Sequence, residues 1–182
     1  MPVNATNDKL GWLAPSFNLL DISDNYISLD QLKGDNGTVI AFICNHCPYV
    51  IAIAERLSFE ARELKKLSIN MIAIMSNDVE QYPEDSFANM KLFAKKYDFE
   101  FSYLYDETQE VARLFKAECT PELYLYDDFK KLVYRGRLDD SSPGNGKEID
   151  GKDLRSAIDS LLTGKKISSE QFPSMGCNIK WK

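Results

Sequence analysis

Two cysteines stand two residues apart in the segment Cys44-Asn45-His46-Cys47. Thiols at that spacing can close a small disulfide ring, which makes the segment a candidate dithiol–disulfide couple. The apolar run Thr38-Val39-Ile40-Ala41-Phe42-Ile43 precedes it and reads as a strand. Val50, Ile51, Ala54, Leu57, Ala61, Leu64 and Leu67 follow at helical spacing over 48–67. A strand–C-x-x-C–helix order predicts Cys44 at the helix start, partly exposed, among unpaired N–H groups and at the positive end of the helix dipole. Both influences favour thiolate, the nucleophilic form. His46, the chain's single histidine, lies inside the ring and is the candidate tuning residue. If His46 favours the Cys44 thiolate, the reduced form gains stability and the disulfide becomes more oxidising.

The same thiol pair can be half of a zinc site, which usually takes four Cys/His ligands. His46, Cys119 and Cys177 are the remaining candidates for a metal-binding module, but no second closely spaced pair exists. Redox chemistry is the preferred reading, with no metal and no organic cofactor. Cys119 and Cys177 are candidate accessory thiols. Each reads equally well as a bystander, Cys119 as a small buried residue and Cys177 as part of the tail.

The remaining elements must position this segment. The chain has 182 residues, 44% apolar and 27% charged, the make-up of one globular domain with a sizeable core. A net charge of −6 with no basic run argues against nucleic acid. No apolar run reaches bilayer length, and residues 1–15 carry no apolar signal core, so the expected location is cytoplasmic. Thiols there are mostly reduced, which favours a catalytic pair over a structural staple. Residues 14–21 and 26–29 predict an N-terminal hairpin turning at Asp24-Asn25. Strands are expected at 70–75, 102–105, 122–126 and 131–134, and helices at 85–97, 108–116 and 151–162, with Thr108 as one N-cap. Asp139 and Asp140 read as an acidic, solvated loop, with a place on the active-site rim as the alternative. Ile167, Phe172, Met175, Ile179 and Trp181 anchor a tail over 163–182 that packs on the domain. Gly176 allows a positive-φ bend beside Cys177. Alternating strands and helices indicate a three-layer α/β domain.

A strand ending in C-x-x-C, a later Thr120-Pro121 before a strand, and a closing helix resemble the thioredoxin fold over about 14–162. Ala14-Pro15 with Phe17, then Ser28-Leu29, resemble the peroxiredoxin-related branch, the alkyl hydroperoxide reductase/thiol-specific antioxidant (AhpC/TSA) group. Cys44-Asn45-His46-Cys47-Pro48-Tyr49-Val50, Cys119-Thr120-Pro121 and Gly176-Cys177-Asn178-Ile179-Lys180-Trp181 resemble a C-x-x-C redoxin subgroup of that branch. The resemblance implies a three-layer thioredoxin-like fold with an N-terminal hairpin extension and a C-terminal tail. It implies Cys44 as the attacking thiol and Cys47 as the more buried resolving thiol, one turn inward. It also implies a cis peptide bond at Thr120-Pro121, which leaves the Thr120 backbone to pair with an extended substrate.

Three departures qualify the resemblance. Peroxiredoxins carry a proline seven residues before the reactive cysteine and a Thr or Ser three before. Cys44 has Gly37 and Ala41 at those places, and Cys47 has Ile40 and Cys44. Ile43 replaces the tryptophan that thioredoxin places before its first cysteine, and Thr38 replaces its buried aspartate. The expected activity is thiol–disulfide exchange by the Cys44/Cys47 couple, with a thiol-dependent peroxidase as the alternative. Partners would be protein or small-molecule disulfides and dithiols, together with a reductase.

Overall fold

Strand β4 (Gly37–Phe42) is buried along its whole length, and its side chains alternate between two apolar layers. The computed structural model describes residues 2–6 and 10–182; Met1 and residues 7–9, part of the segment read for a signal core, lie outside the described residues. Val39 and Ala41 face one layer, and Ile40 and Phe42 face the other. β5 (Ile69–Met75) runs parallel to β4, and β8 (Glu122–Tyr126) antiparallel on its other side. The remaining strands are β2 (Asn18–Asp21), β3 (Tyr26–Ser28), β6 (Ser102–Tyr105) and β9 (Leu132–Gly136). They complete a seven-stranded sheet in the order β3-β2-β6-β5-β4-β8-β9.

The first layer holds α2 (Pro48–Lys66), α3 (Phe87–Lys96) and α5 (Lys152–Leu162). Val50, Leu57, Met90, Phe93, Leu154 and Ile158 pack from these helices onto the sheet. The second layer holds α1 (Leu29–Leu32) and α4 (Glu110–Leu114), with Leu29, Val111, Ala112 and Phe115 meeting Ile40, Phe42, Tyr124 and Tyr126. This is a mixed sheet between two helical layers, the three-layer α/β arrangement expected from the sequence. No helix among the described residues is long and apolar enough to cross a membrane.

Several local expectations are corrected. Residue 29 does not extend β3; Ser28 and Gln31 form a capping box that starts α1 there. Pro83–Asp85 form a 3-10 turn, and α3, expected from residue 85, starts at Phe87 with Ser86 as its N-cap. Gln109, not Thr108, precedes α4, with φ 65°. Its amide donates to the Ser76 and Lys180 carbonyls, each at 2.7 Å, bonds that fix it in that conformation.

The tail is not read as a strand, yet it forms β10 (Met175–Asn178). This strand lies between β1 (Pro2–Asn4) and the two-residue β7 (Cys119–Thr120) in a second, three-stranded sheet. Gly176 is extended and not at positive φ. Its missing side chain serves close approach instead, because a Cβ there would collide with the Thr120 carbonyl.

Candidate redox site

Pro48 decides where helix α2 begins. Proline lacks an N–H and holds φ near the helical value, so it suits the first helical position. Cys47 is therefore the N-cap, and Cys44 lies in the link between β4 and the helix. The predicted placement is reversed: Cys47, not Cys44, stands at the helix terminus, and Cys44 is not partly exposed. Both side chains are fully buried, at 0% exposure, and all four cysteines are free thiols.

The two thiols have opposite electrostatics. Cys47 is pulled down to about 5, first by the hydrogen bond from Cys44; burial opposes this, and the Cys177 thiol, the Val50 N–H and the Cys177 N–H reinforce it. Cys44 is pushed well above the usual thiol range by that same bond to Cys47, then by burial and by the charge on Asp85. The two thiols titrate as a pair, and the hydrogen bond between them favours the thiolate on Cys47 over one on Cys44. In its thiol form Cys47 donates to the Thr120 carbonyl at 3.2 Å, a bond given up on ionisation. Cys44 Sγ lies 3.4 Å from the Thr120 hydroxyl. Thr120-Pro121 is cis, and Thr120 meets both sulfurs.

His46 is anchored by Asp85 and Tyr82. Its Nδ1 donates to Asp85 Oδ2 at 2.7 Å, and its ring stacks on Tyr82 with centroids 5.5 Å apart. Asp85 raises the His46 pKa chiefly through that hydrogen bond, and burial partly opposes it. Asp85 itself is fully buried. It also accepts the Asn45 backbone N–H at 2.7 Å and the Asn77 amide at 2.8 Å. Asn45 is fixed in turn by the Tyr103 hydroxyl, which donates to Oδ1 at 2.9 Å, and by its own amide, which donates to the Glu84 carbonyl at 3.0 Å. This network pins the Cys44–Cys47 link from one side.

Asp85, Asn45, Asn77 and Tyr103 are site residues that the sequence reading missed. Asp85 lies in a short turn far along the chain, and its sequence surroundings read only as a helix start. It restores a buried carboxylate to the site from a direction different from that of the strand residue at Thr38. Thr38 merely accepts the Gly34 N–H at 3.2 Å.

The metal alternative finds three donors. One ligand atom each from Cys44, His46 and Asp85 lies within 4.8 Å of the others. Structural zinc usually takes four ligands, and here the Asp85 oxygens are committed to three hydrogen bonds.

Cys119 and Cys177 part company. Cys119 is buried in β7, with its thiol facing the Pro121 and Ser174 carbonyls at 3.8 and 3.9 Å. Burial, then the charges of Glu122 and Glu118, drive its pKa far up. Cys177 lies in β10 opposite Thr120, partly exposed, with both its thiol and its N–H toward Cys47. Burial first, then the neighbouring Cys47, raise its pKa to about 11. Asp139 is buried rather than solvated, and accepts the Ser141 and Gly151 N–H groups at 2.9 and 2.7 Å. It lines a cavity of about 250 Å³ shared with Tyr49, Ile53, Pro121, Leu138 and Met175.

The helix–sheet–helix layering and a cis proline beside a cysteine pair that leads into α2 define a thioredoxin-fold redoxin. Within that class the AhpC/TSA family model matches residues 10–135, and the chain belongs to the AhpC/TSA family. An uncharacterized conserved protein from Geobacillus kaustophilus is 46% identical, with TM-score 0.97 and coverage of 100% of this chain and 97% of that one. A hypothetical protein from Sinorhizobium meliloti is 40% identical, with TM-score 0.95 and coverage of 98% of each chain. A secreted disulfide oxidoreductase from Mycobacterium tuberculosis shares the fold at 16% identity and TM-score 0.61, covering 79% of this chain and 95% of that one. The curated proteins contain no match.

Proposed function

We propose that this redoxin is a thiol–disulfide oxidoreductase that uses the Cys44/Cys47 couple, with Cys47 as the attacking thiolate. The observation that carries this reading is the meeting of both sulfurs at Thr120, beside the cis Pro121, with Cys47 as the N-cap of α2. The hydrogen bond within the pair favours the thiolate on Cys47. The Cys47 thiolate attacks one sulfur of a substrate disulfide and expels the other as a thiolate. Cys44, once deprotonated, attacks Cys47 in the mixed disulfide, releases the second substrate thiol and closes the Cys44–Cys47 disulfide. Two substrate thiols appear for each protein disulfide formed, and the reverse sequence oxidises a dithiol. Cytoplasmic placement, with a cellular reductase as partner, belongs to the same proposal.

The roles proposed for the two cysteines exchange those expected from the sequence, on the ground that Cys47 is the N-cap of α2. Asp85 supports protonation of Cys44, since its charge disfavours a second anion beside it. Thr120 and Pro121 are proposed to form the wall against which substrate docks. His46, held by Asp85, contributes positive charge rather than a direct bond to sulfur.

The test is disulfide exchange with glutathione disulfide, coupled to mass mapping of the oxidised protein. The reading predicts a Cys44–Cys47 disulfide in the wild type and loss of exchange in Cys47→Ser. Retained exchange in Cys47→Ser would overturn it. Faster consumption of hydroperoxide than of disulfide, with thiol as donor, would favour the peroxidase instead.

A further inference from the structure

The thioredoxin-like arrangement leaves the backbone of the residue before the cis proline as a free edge for an extended segment. Here that edge is occupied. β10 pairs antiparallel with β7, placing Cys177 opposite Thr120 and Asn178 opposite Cys119, and β1 covers the far side of β10. Gly176 permits the approach, since any Cβ there would meet the Thr120 carbonyl. The ladder places Cys177 opposite Thr120, whose carbonyl lies 3.2 Å from the Cys47 sulfur, so Cys177 and Cys47 flank the same residue. Cys44, Cys47 and Cys119 are buried, and Cys177 alone of the four thiols keeps exposed surface.

We infer that β10 is a tethered pseudosubstrate whose Cys177 exchanges disulfide with Cys47, carrying the bond from the buried Cys44–Cys47 pair to the protein rim. The inference rests on Cys47 being the reactive thiol. The exchange conserves electrons. Cys177, as thiolate, attacks Cys47 in the Cys44–Cys47 disulfide; the Cys47–Cys177 bond forms, the Cys44–Cys47 bond breaks, and Cys44 leaves as a thiolate that takes up a proton. An external dithiol then attacks Cys177, forms a mixed disulfide with it and expels Cys47 as thiolate. The dithiol's second sulfur closes its own disulfide and frees Cys177. Two electrons pass inward and no other co-reactant is needed.

The chemistry fits the neighbours of Cys177. Burial and the charge on Cys47 hold Cys177 protonated while Cys47 is a thiolate. Once Cys47 is in a disulfide that charge is gone, and Cys177 becomes easier to ionise when its attack is required. The occupied edge also means that an extended polypeptide can pair with Thr120 only after β10 leaves.

Three variants test this in the full-length protein. Cys44→Ser, treated with glutathione disulfide, should give a Cys47–Cys177 disulfide and little bound glutathione. Cys44→Ser/Cys177→Ser should instead hold one glutathione on Cys47. Stable glutathione on Cys47 in the single variant, with Cys177 free, would overturn the inference while leaving Cys47 as nucleophile. No reaction at Cys47 in either variant would refute the underlying function as well. Gly176→Ala should displace β10 and speed iodoacetamide labelling of Cys47 at least tenfold. Labelling within twofold of wild type, with circular dichroism unchanged, would refute the pseudosubstrate role.

Discussion

Cys44→Ala removes the largest influence on Cys47, the hydrogen bond that Cys44 donates to its sulfur. A hydrogen bond to a charged group contributes about 1.5–3 kcal/mol, and one pKa unit corresponds to about 1.4 kcal/mol, so the Cys47 midpoint should rise by ~1–2 units. With a midpoint near 5 in the parent, about half of Cys47 is thiolate at that pH; a rise of ~1.5 units leaves about 3%. Each remaining thiolate is more nucleophilic, about fivefold for that rise, because the Brønsted slope is ~0.4–0.5. The two effects oppose each other. Near pH 5 loss of thiolate wins, and the variant should alkylate about three- to fourfold more slowly than wild type. Near neutrality both proteins are mostly ionised, and the variant should be faster by about the same factor. Iodoacetamide kinetics across pH, with the label located by peptide mapping, reads this crossover. Cys44→Ser, which keeps a donor, should shift less. Parallel profiles for Cys44→Ala and wild type would refute the claim that Cys44 sets the Cys47 ionisation.

Other outcomes follow from the same network. Because the folded pKa of Cys47 is depressed, its stabilising contribution is full above the ordinary thiol value near ~8.5 and is lost as pH falls through about 5. Denaturation of wild type against Cys47→Ser over that window checks the sign. Asp85→Asn should move the His46 midpoint down toward ~6.5, read by proton NMR. The raised folded pKa of His46 contributes stability fully below ~6.5 and loses it as pH rises through the folded value, so Asp85→Asn should cost most on the acid side. An unchanged His46 midpoint would break that link. Tyr103→Phe leaves the buried Asn45 Oδ1 without its hydroxyl donor and should cost about 1–3 kcal/mol in urea denaturation.

The layers of this fold were legible because periodicity records burial directly. The helical spacing from Val50 to Leu64 and the continuous apolar runs of β4 and β5 could be read without knowing their partners. The cysteine pair was legible for a similar reason, since both members lie in one short segment. What failed was position within that segment. The helix was expected over 48–67, yet Cys44 was placed at its start; with Pro48 at the first helical position the terminal residue is Cys47. Asp85 could not be found by spacing, because its partners Asn45, His46 and Asn77 meet it only in the folded chain. β10 escaped for an energetic reason. Its Met-Gly-Cys-Asn sequence has little strand preference of its own, and pairing with β1 and β7 supplies the order.

The central claim is that Cys47, at the helix terminus, is the reactive thiolate. Limiting iodoacetamide applied to the fully reduced wild-type protein at about pH 6, well below the ordinary thiol midpoint, tests it most directly. Peptide mapping should find the label on Cys47, with Cys44, Cys119 and Cys177 essentially unmodified. Label concentrated on Cys44 would contradict the account and restore the assignment expected from the sequence.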